Sequence, residues 1–208
     1  QRPILFSISG ADDLEPDAQG TINERSPLRS RLIGFGQIGI PVHRLIEASG
    51  IEATFVYFGN LVYGPGKIFA NQYVSGLKSG SARIVGKGTN RLPLVHVTDA
   101  ARALIHLAGL PPLELVGHTF IVADGADTTQ RELLGYTAIL MGVKQPGTAP
   151  AWLATLIAGI TAVETITVDA HADSSALLKT GFHFRYPSYR QGVPATLSAL
   201  GYTLSNAG

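Results

Sequence analysis

The chain has 208 residues, enough for one domain or a tight pair of lobes with a sizeable core. Apolar residues make up 45% and charged residues 15%, which argues against disorder, and the net charge of +1 gives no reason to expect a nucleic-acid or acidic-membrane partner. There is no cysteine, so disulfides, thiolate metal sites and cysteine nucleophiles are excluded.

The first residues and the most apolar segment are the parts of the chain that could carry targeting or membrane-spanning signals. The first residues do not form a long apolar run, so no signal peptide is expected, and the default expectation is the cytoplasm. Segment 152–163 is too short to cross a hydrocarbon core of about 30 Å and is predicted to be a buried helix. Because Gln1 is not an initiator residue, we expect the natural chain to begin upstream or a leading segment to have been removed.

The first half of the chain alternates segments typical of strands and helices. We predict, in order, a buried strand at 3–8, a long polar loop at 11–30, a helix at 40–49 with Pro41 in its first turn and Gly50 as its cap, a strand at 52–58, a glycine-proline turn at 64–66, and a helix at 68–80.

The second half continues the alternation. It predicts strands at 82–86, 92–97, 118–124 and 165–170, and helices at 98–109, 128–142, 151–163, 174–181 and 189–200. Thr98 or Asp99 is expected to cap the helix at 98–109, and Thr128 is expected to cap the helix at 128–142. Strands that alternate with helices predict an α/β fold with a parallel sheet.

A literal G-x-G-x-x-G occurs at Gly34, Gly36 and Gly39, which raises the possibility of a small dinucleotide-binding module. Such a loop needs a buried strand before the first glycine and an acidic residue at the end of the next strand. The segment before Gly34 is a poor strand, and Tyr57, Phe58 and Gly59 stand where the acid is expected. This interpretation is therefore the weaker one, but it stays open from sequence alone.

Four segments together resemble the extended short-chain dehydrogenase/reductase family, namely 59–67, 90–109, 118–143 and 179–200. This family comprises NAD(P)-dependent epimerases and dehydratases that act largely on nucleotide sugars. The resemblance implies a partial Rossmann-like parallel sheet, lacking the family's first half, with a smaller C-terminal α/β substrate lobe. It assigns 1–66 and 94–124 to the sheet and 67–93 and 125–208 to the lobe. It also implies NAD or NADP as cofactor and a small-molecule substrate.

The resemblance carries catalytic positions onto this chain. The strand-end serine matches Ser9, and the loop at 22–28 fixes the register of the family's Tyr-x-x-x-Lys, which falls on Phe35 and Gly39. The family tyrosine acts as a general acid/base with a pKa lowered by the lysine. Phe35 has no proton to transfer and Gly39 has no charge, so the resemblance implies lost or rerouted chemistry.

The same resemblance implies binding residues. It places Ser7, Tyr57, Phe58 and Gly59 at the cofactor, and Asn60, Arg91 and His96 at the substrate. Each of the last three has a plainer alternative. Asn60 stands at a strand end and can simply form a turn, Arg91 can be a solvated loop residue, and His96 lies in an apolar strand as a core or interface histidine would.

Two other patterns are discounted. Tyr63 and Lys67 also spell Tyr-x-x-x-Lys, but the Gly-Pro-Gly between them prevents the helical turn that would align both side chains. His171 and Asp173 are two metal-ligand types, and two ligands do not make a site, so no metal is expected.

Besides the small dinucleotide-binding module, two functions remain open from sequence. One is an NAD(P)-dependent epimerase/dehydratase-like protein that acts on or binds a nucleotide sugar or related molecule, with atypical or impaired catalysis. The other is a non-catalytic binding or structural subunit on the same scaffold. Because a half-sheet leaves an open strand edge, we expect a homo-oligomer or a partner segment to cover it.

Overall fold

A computed structural model describes residues 3–66 and 68–205. Its strands are β1 (Leu5–Gly10), β2 (Thr21–Ile22), β3 (Ala53–Phe58), β4 (Leu61–Tyr63), β5 (Arg83–Val85), β6 (Leu94–His96), β7 (Thr119–Val122), β8 (Gly147–Ala149) and β9 (His171–Ala172). Its α-helices are α1 (Gly36–Ser49), α2 (Ser75–Ser79), α3 (Val97–Ala108), α4 (Gln130–Met141), α5 (Ala151–Ala158), α6 (Ile160–Thr167), α7 (Ser175–Lys179) and α8 (Tyr189–Ala199). A π-helical segment, Phe69–Val74, runs directly into α2.

The central sheet has three parallel strands in the order β1-β3-β7. Ser9 pairs in register with Tyr57, and Phe58 pairs with Val122, so the carboxyl ends of all three strands lie at one edge. Within the part of the chain that the structure describes, β1 has a strand partner on one side only. Three two-stranded parallel pairs, β2-β9, β4-β6 and β5-β8, complete the α/β architecture expected from sequence.

Apolar residues on both faces of the central sheet form separate clusters. Phe55, Tyr57 and Ile121 pack toward α1, while Val56 and Val122 pack on the opposite face toward α3. A third cluster is built around α4 and α8 and contains Tyr63, Phe69, Leu133, Val193 and Leu197. Both faces of β3 and β7 are thus buried, which explains the nearly continuous apolar run of β3, whereas Leu5 and Ile8 of β1 stay exposed.

Helix α1 begins earlier than predicted. It starts at Gly36 rather than Ile40 and ends at Ser49, followed by Gly50 with φ of 68° as predicted. Pro41 is therefore the sixth residue of the helix, and its expected place in the first turn is wrong. The extra turn forms because the backbone N–H of Gly39 donates to the carbonyl oxygen of Phe35 at 3.0 Å.

Two helix caps differ by one or two residues from those predicted. His96, not Thr98 or Asp99, caps α3, with Nδ1 accepting the backbone N–H of Thr98 at 3.1 Å. Thr129, not Thr128, caps α4 through a reciprocal capping box with Glu132. In both cases the preceding strand or loop ends at the capping residue. Its side chain is therefore the one that reaches the free N–H groups of the first helical turn.

The region after α4 differs most from expectation. The single helix predicted at 151–163 is two helices, α5 and α6, which meet at Gly159 with φ of 84°. The strand predicted at 165–170 is wrong, because Thr165 lies buried in α6 and strand pairing begins only at His171. Its β-branched residues favour a strand locally, and packing of the helix against the rest of the protein overrides that preference. No helix among residues 3–66 and 68–205 has the length and apolar character of a membrane span.

Candidate functional site

A cleft of about 400 Å³ opens at the carboxyl ends of β1 and β3. Open parallel sheets bind their ligands outside these strand ends. Most residues that line the cleft come from β1, from the first turns of α1, and from the end of β3 with the segment that follows it. The cleft is lined by eight residues predicted to be functional, namely Ser7, Ser9, Phe35, Gly39, Tyr57, Phe58, Gly59 and Asn60. The sequence-derived site is therefore brought together in one place.

Arg91 and His96 lie outside that cleft. Arg91 Nε donates to Asp169 Oδ1 at 3.1 Å, and this hydrogen bond raises the pKa of the guanidinium. His96 is buried, its Nε2 lies 3.2 Å from Thr196 Oγ1, and burial lowers its pKa. Both residues thus have partners within the chain, and their contact with a substrate stays a prediction.

The dinucleotide-loop interpretation of the glycine triplet is wrong. No strand enters Gly34, whose φ of 53° belongs to a turn. The backbone N–H of Gly34 donates to Glu164 Oε2 at 2.9 Å, and that of Phe35 donates to Asp12 Oδ2 at 3.3 Å. A helix N-terminus attracts anions, and here the chain's own carboxylates take the place of a pyrophosphate. Thr165 Oγ1 donates to the same Asp12 oxygen at 2.6 Å and fixes it.

The other two glycines allow α1 to approach Asp13. A Cβ atom at Gly36 would lie 3.1 Å from Asp13 Oδ1, and a Cβ atom at Gly39 would overlap both Asp13 Oδ2 and Ser9 Oγ. The position that the resemblance assigns to a lysine is therefore filled by a carboxylate and a hydroxyl. The glycines are explained by close packing of a helix on polar side chains rather than by a cofactor.

Asp13 is an unusual carboxyl group. Its side chain is fully buried, Oδ1 has no hydrogen-bond partner among the described residues, and Ser9 Oγ donates to Oδ2 at 2.5 Å. Burial raises the pKa of Asp13 to about 6, and the negative charge of Asp12 adds to this, whereas the hydrogen bond from Ser9 lowers it. Asp13 therefore titrates close to neutral pH, directly beside a residue that lines the cleft.

A second series of contacting polar side chains begins at Tyr57, which also lines the cleft. Tyr57 Oη lies 2.5 Å from His43 Nδ1, and His43 Nε2 lies 3.2 Å from Glu47 Oε1. The imidazole stacks on Phe55 with ring centroids 3.8 Å apart. Burial, followed by the charges of Asp13 and Glu47, raises the pKa of Tyr57. The phenol is thus held neutral.

Sequence reasoning missed Asp12, Asp13 and His43. His43 follows Phe35 and Gly39 at successive intervals of four residues, so helical periodicity alone would have placed it on their face. Asp12 and Asp13 follow the strand predicted at 3–8, with three residues between. Strand ends in parallel sheets are where functional polar residues collect, and that was the available signal.

The residues of the two patterns discounted from sequence contact other side chains or backbone groups of the protein. Tyr63 is fully buried beside His96, with ring centroids 5.2 Å apart, and Lys67 lies outside the described residues. His171 Nδ1 contacts Asp127 Oδ1 at 2.8 Å, and Asp173 Oδ1 accepts the N–H of Ser175. Across residues 3–66 and 68–205, no three histidine or acidic side chains are grouped as metal ligands.

Searches against protein-family models and against curated proteins found no match. Solved structures do match. The human epimerase family protein SDR39U1 (isoform 2), solved with NADPH, superposes with a TM-score of 0.79 at 16% identity over 94% of this chain. MoeE5 in complex with UDP-glucuronic acid and NAD gives 0.72 at 21% identity over 95%. dTDP-glucose 4,6-dehydratase from Bacillus anthracis str. Ames, in complex with NAD, gives 0.72 at 14% identity over 95%.

The chain has the fold of these proteins. It spans 65%, 64% and 61% of their respective lengths. The resemblance to epimerases and dehydratases noted from sequence is thus confirmed as a shared Rossmann-like fold, and structures with this fold are solved with NADPH or NAD bound.

One side chain that lines the cleft, Asn60, has a polar atom left to accept a hydrogen bond. Asn60 Nδ2 donates to the carbonyl oxygen of Thr165 at 3.1 Å, while the buried Asn60 Oδ1 has no partner within the described part of the chain. An unpaired acceptor in a cleft wall is satisfied when a ligand hydroxyl or amide donates to it. The residues present at the ends of β1 and β3 therefore fit a cofactor or sugar ligand, although the N-terminus of α1 does not offer a free phosphate site.

Proposed function

We propose that this chain is the substrate-side portion of an NAD(P)-dependent epimerase/dehydratase-like protein that binds a nucleotide sugar or a related small molecule. The cleft at the carboxyl ends of β1 and β3 is the observation that carries the proposal, because it collects eight residues that the family resemblance assigns from sequence. Neighbours of the same fold hold UDP-glucuronic acid and NAD, or NAD alone, in their solved structures.

Within this proposal the chain's own residues bind and orient. Ser7, Tyr57, Phe58 and Gly59 contact the cofactor, which supplies hydride transfer when bound, and Asn60 accepts a hydrogen bond from the ligand. Phe35 is 54% exposed and forms an apolar wall of the cleft. It cannot exchange a proton, so the proposed catalysis is atypical.

We also propose the division of the chain into two parts. Residues 1–66 and 94–124 form the sheet portion, and 67–93 and 125–208 form the substrate lobe. Most residues of the apolar cluster around α4 and α8 come from the proposed lobe, and Leu61, Tyr63 and Leu94 join it from the sheet portion. The cytoplasmic location is likewise a proposal, resting on composition.

A non-catalytic binding subunit is the second candidate function. The observation that favours it is the pair of substitutions at the acid/base positions, with Phe35 lacking a hydroxyl and Asp13 occupying the space of the lysine. Turnover distinguishes the two candidates. Reduction of NAD or NADP by the protein in the presence of a nucleotide sugar would contradict the non-catalytic alternative.

Isothermal titration calorimetry tests the proposed function. We expect the protein to bind NADH, NADPH or a UDP- or dTDP-sugar, and Asn60→Ala to weaken binding about tenfold, which corresponds to the loss of about 1.4 kcal/mol from one hydrogen bond. Asn23→Ala, the same substitution outside the cleft, is the matched control and is expected to leave affinity unchanged. Folded wild-type protein that binds none of these ligands would contradict the proposal.

The open edge of β1 calls for a partner. Leu5 on β1 and Leu45 on α1 are large apolar side chains, 40% and 70% exposed, on neighbouring elements at this edge. Exposed strand edges pair with other strands. We propose that a second copy of the chain or another protein segment covers this face.

Sedimentation velocity measures that association directly. We expect concentration-dependent dimerisation of the chain, and Leu5→Lys is expected to weaken it at least tenfold because it places a charge on the strand edge. Leu113→Lys alters a side chain that is 91% exposed in the segment between α3 and β7 and is the control. A chain that stays monomeric at every concentration would rule out self-pairing, and stable folding of that monomer without any partner would contradict the proposal as a whole.

A further inference from the structure

The Ser9–Asp13 pair links the cleft to a buried titratable group. Ser9 lines the cleft and its Oγ donates to Asp13 Oδ2 at 2.5 Å. Asp13 lies beneath the first turn of α1, and Gly36 and Gly39 provide the space for its carboxylate. The arrangement depends on glycine at position 39, because any side chain there would overlap both partners.

Several charged or titratable groups surround Asp13. Asp12 is adjacent in the 3-10 turn after β1, Tyr57 faces it from β3, and α1 contributes His43 and Glu47 close to Tyr57. Arg29 donates its backbone N–H to the carbonyl oxygen of Asp13 and its Nε to that of Asp12, so its guanidinium pairs with Glu15 rather than with Asp13. No cation neutralises the Asp13 carboxylate among these neighbours.

We propose that Ser9 and Asp13 are the proton-transfer pair of the cleft, taking over the work that Phe35 cannot do. The inference rests on the proposed function. A substrate hydroxyl passes its proton to Ser9 Oγ as the Ser9 hydroxyl passes its own proton to Asp13 Oδ2. One substrate O–H bond breaks and one Asp13 O–H bond forms, while the carbon-bound hydrogen leaves as hydride to an oxidised nicotinamide cofactor. Reduction reverses both transfers.

In this arrangement Ser9 is the catalytic residue and Asp13 acts through it. A carboxyl group with a pKa of about 6 is suited to accepting and returning a proton near neutral pH. Tyr57 is the competing candidate, since it also lines the cleft. Its hydroxyl is engaged with His43 and its pKa is raised, so it is a weak proton donor.

Carbon-13 NMR titration of the aspartate carboxyl groups tests the pair without any ligand. We expect Asp13 to titrate with a midpoint near 6. The hydrogen bond from Ser9 stabilises the charged carboxylate, so its removal in Ser9→Ala is expected to move the midpoint upward. An Asp13 midpoint at the ordinary aspartate value, or one that does not respond to Ser9→Ala, would overturn the inference.

The pH dependence of turnover provides the second test. We expect wild-type kcat to fall as the pH is lowered through about 6, where Asp13 becomes protonated. Asp13→Asn is expected to lower kcat by about 10²–10⁴ with the nucleotide-sugar KM nearly unchanged and the acidic limb of the profile gone. Tyr57→Phe is expected to retain that limb. Its disappearance in Tyr57→Phe, with Asp13→Asn active, would overturn the inference in favour of Tyr57.

Folding does not confound the Asp13→Asn variant. A folded-state pKa raised above the unfolded value means that Asp13 adds stability below its unfolded pKa and that this stability is lost as the pH rises through about 6. The neutral amide avoids that loss, so the variant is expected to fold at least as well at pH 8. Failure of the wild type to bind any ligand would instead overturn the proposed function, while the NMR titration still decides whether the pair exists.

Discussion

Gly39→Lys is expected to lower the free energy of unfolding by about 3 kcal/mol or more, whereas Phe35→Tyr is expected to change it by less than about 0.5 kcal/mol. Any Cβ atom at position 39 overlaps Asp13 Oδ2 and Ser9 Oγ, and the Asp13 side chain is fully buried. The side chain of Phe35 is half exposed, so an added hydroxyl reaches solvent. Urea unfolding followed by circular dichroism gives both values.

This contrast has a functional consequence. The double variant Phe35→Tyr with Gly39→Lys, which places Tyr-x-x-x-Lys at these positions, is not expected to gain acid/base chemistry, because the lysine displaces the carboxylate already present. Gly39→Lys with wild-type stability would show that the space is open, and the explanation of the glycine triplet as a packing feature would fail.

Gly192→Ala is expected to destabilise the protein by about 3 kcal/mol. Gly192 lies within α8, where alanine is intrinsically favoured over glycine by about 1 kcal/mol. Its Cβ atom would nevertheless overlap the hydroxyl of Tyr63 and lie 2.7 Å from two carbons of that ring. Tyr63 is fully buried in the cluster around α4 and α8 and has no room to move, so the steric cost exceeds the helix-propensity gain.

Gly135→Ala is the matched control for that substitution. Gly135 is also inside a helix, α4, but its Cβ atom would meet only the end of the Gln145 side chain, at 3.1 Å. A flexible side-chain end can shift, so we expect a gain of about 0.5 kcal/mol from helix propensity. Equal effects of the two substitutions in thermal unfolding would contradict the packing described for α8.

Much of the fold is predictable from local pattern. The apolar runs of β1 and β3, and the periodic segments of α3, α4 and α8, were located from sequence because their apolar patterns agree with the final packing. The break at Gly159 and the short strand β8 were not. Strand β8 depends on a distant segment, since Arg83 pairs with Gly147, and local periodicity does not encode that pairing. The break falls at a glycine with φ of 84° inside an otherwise continuous apolar segment, where periodicity alone predicts one helix.

The location of Ser9, Phe35 and Gly39 in one cleft was predictable from sequence, while their roles stay predictions. Register with a known family placed Ser9, Phe35 and Gly39 beside one another, and all three line the cleft. The role of Gly39 could not be derived, since it depends on Asp13, which reaches it only after a 3-10 turn folds back beneath α1. The reason for a glycine at position 39 is its spatial contact with Asp13 and Ser9, and the local sequence around Gly39 does not predict that contact.

The Asp13 carboxylate fills the space at Gly39. A double-mutant cycle tests this packing most directly. Unfolding free energies are measured for Gly39→Ala, for Asp13→Ala and for the two combined. We predict that Gly39→Ala alone costs about 2–3 kcal/mol and that Asp13→Ala removes at least about 1 kcal/mol of that cost. Strictly additive effects would contradict the claim, because they would show that the two positions do not share the same space.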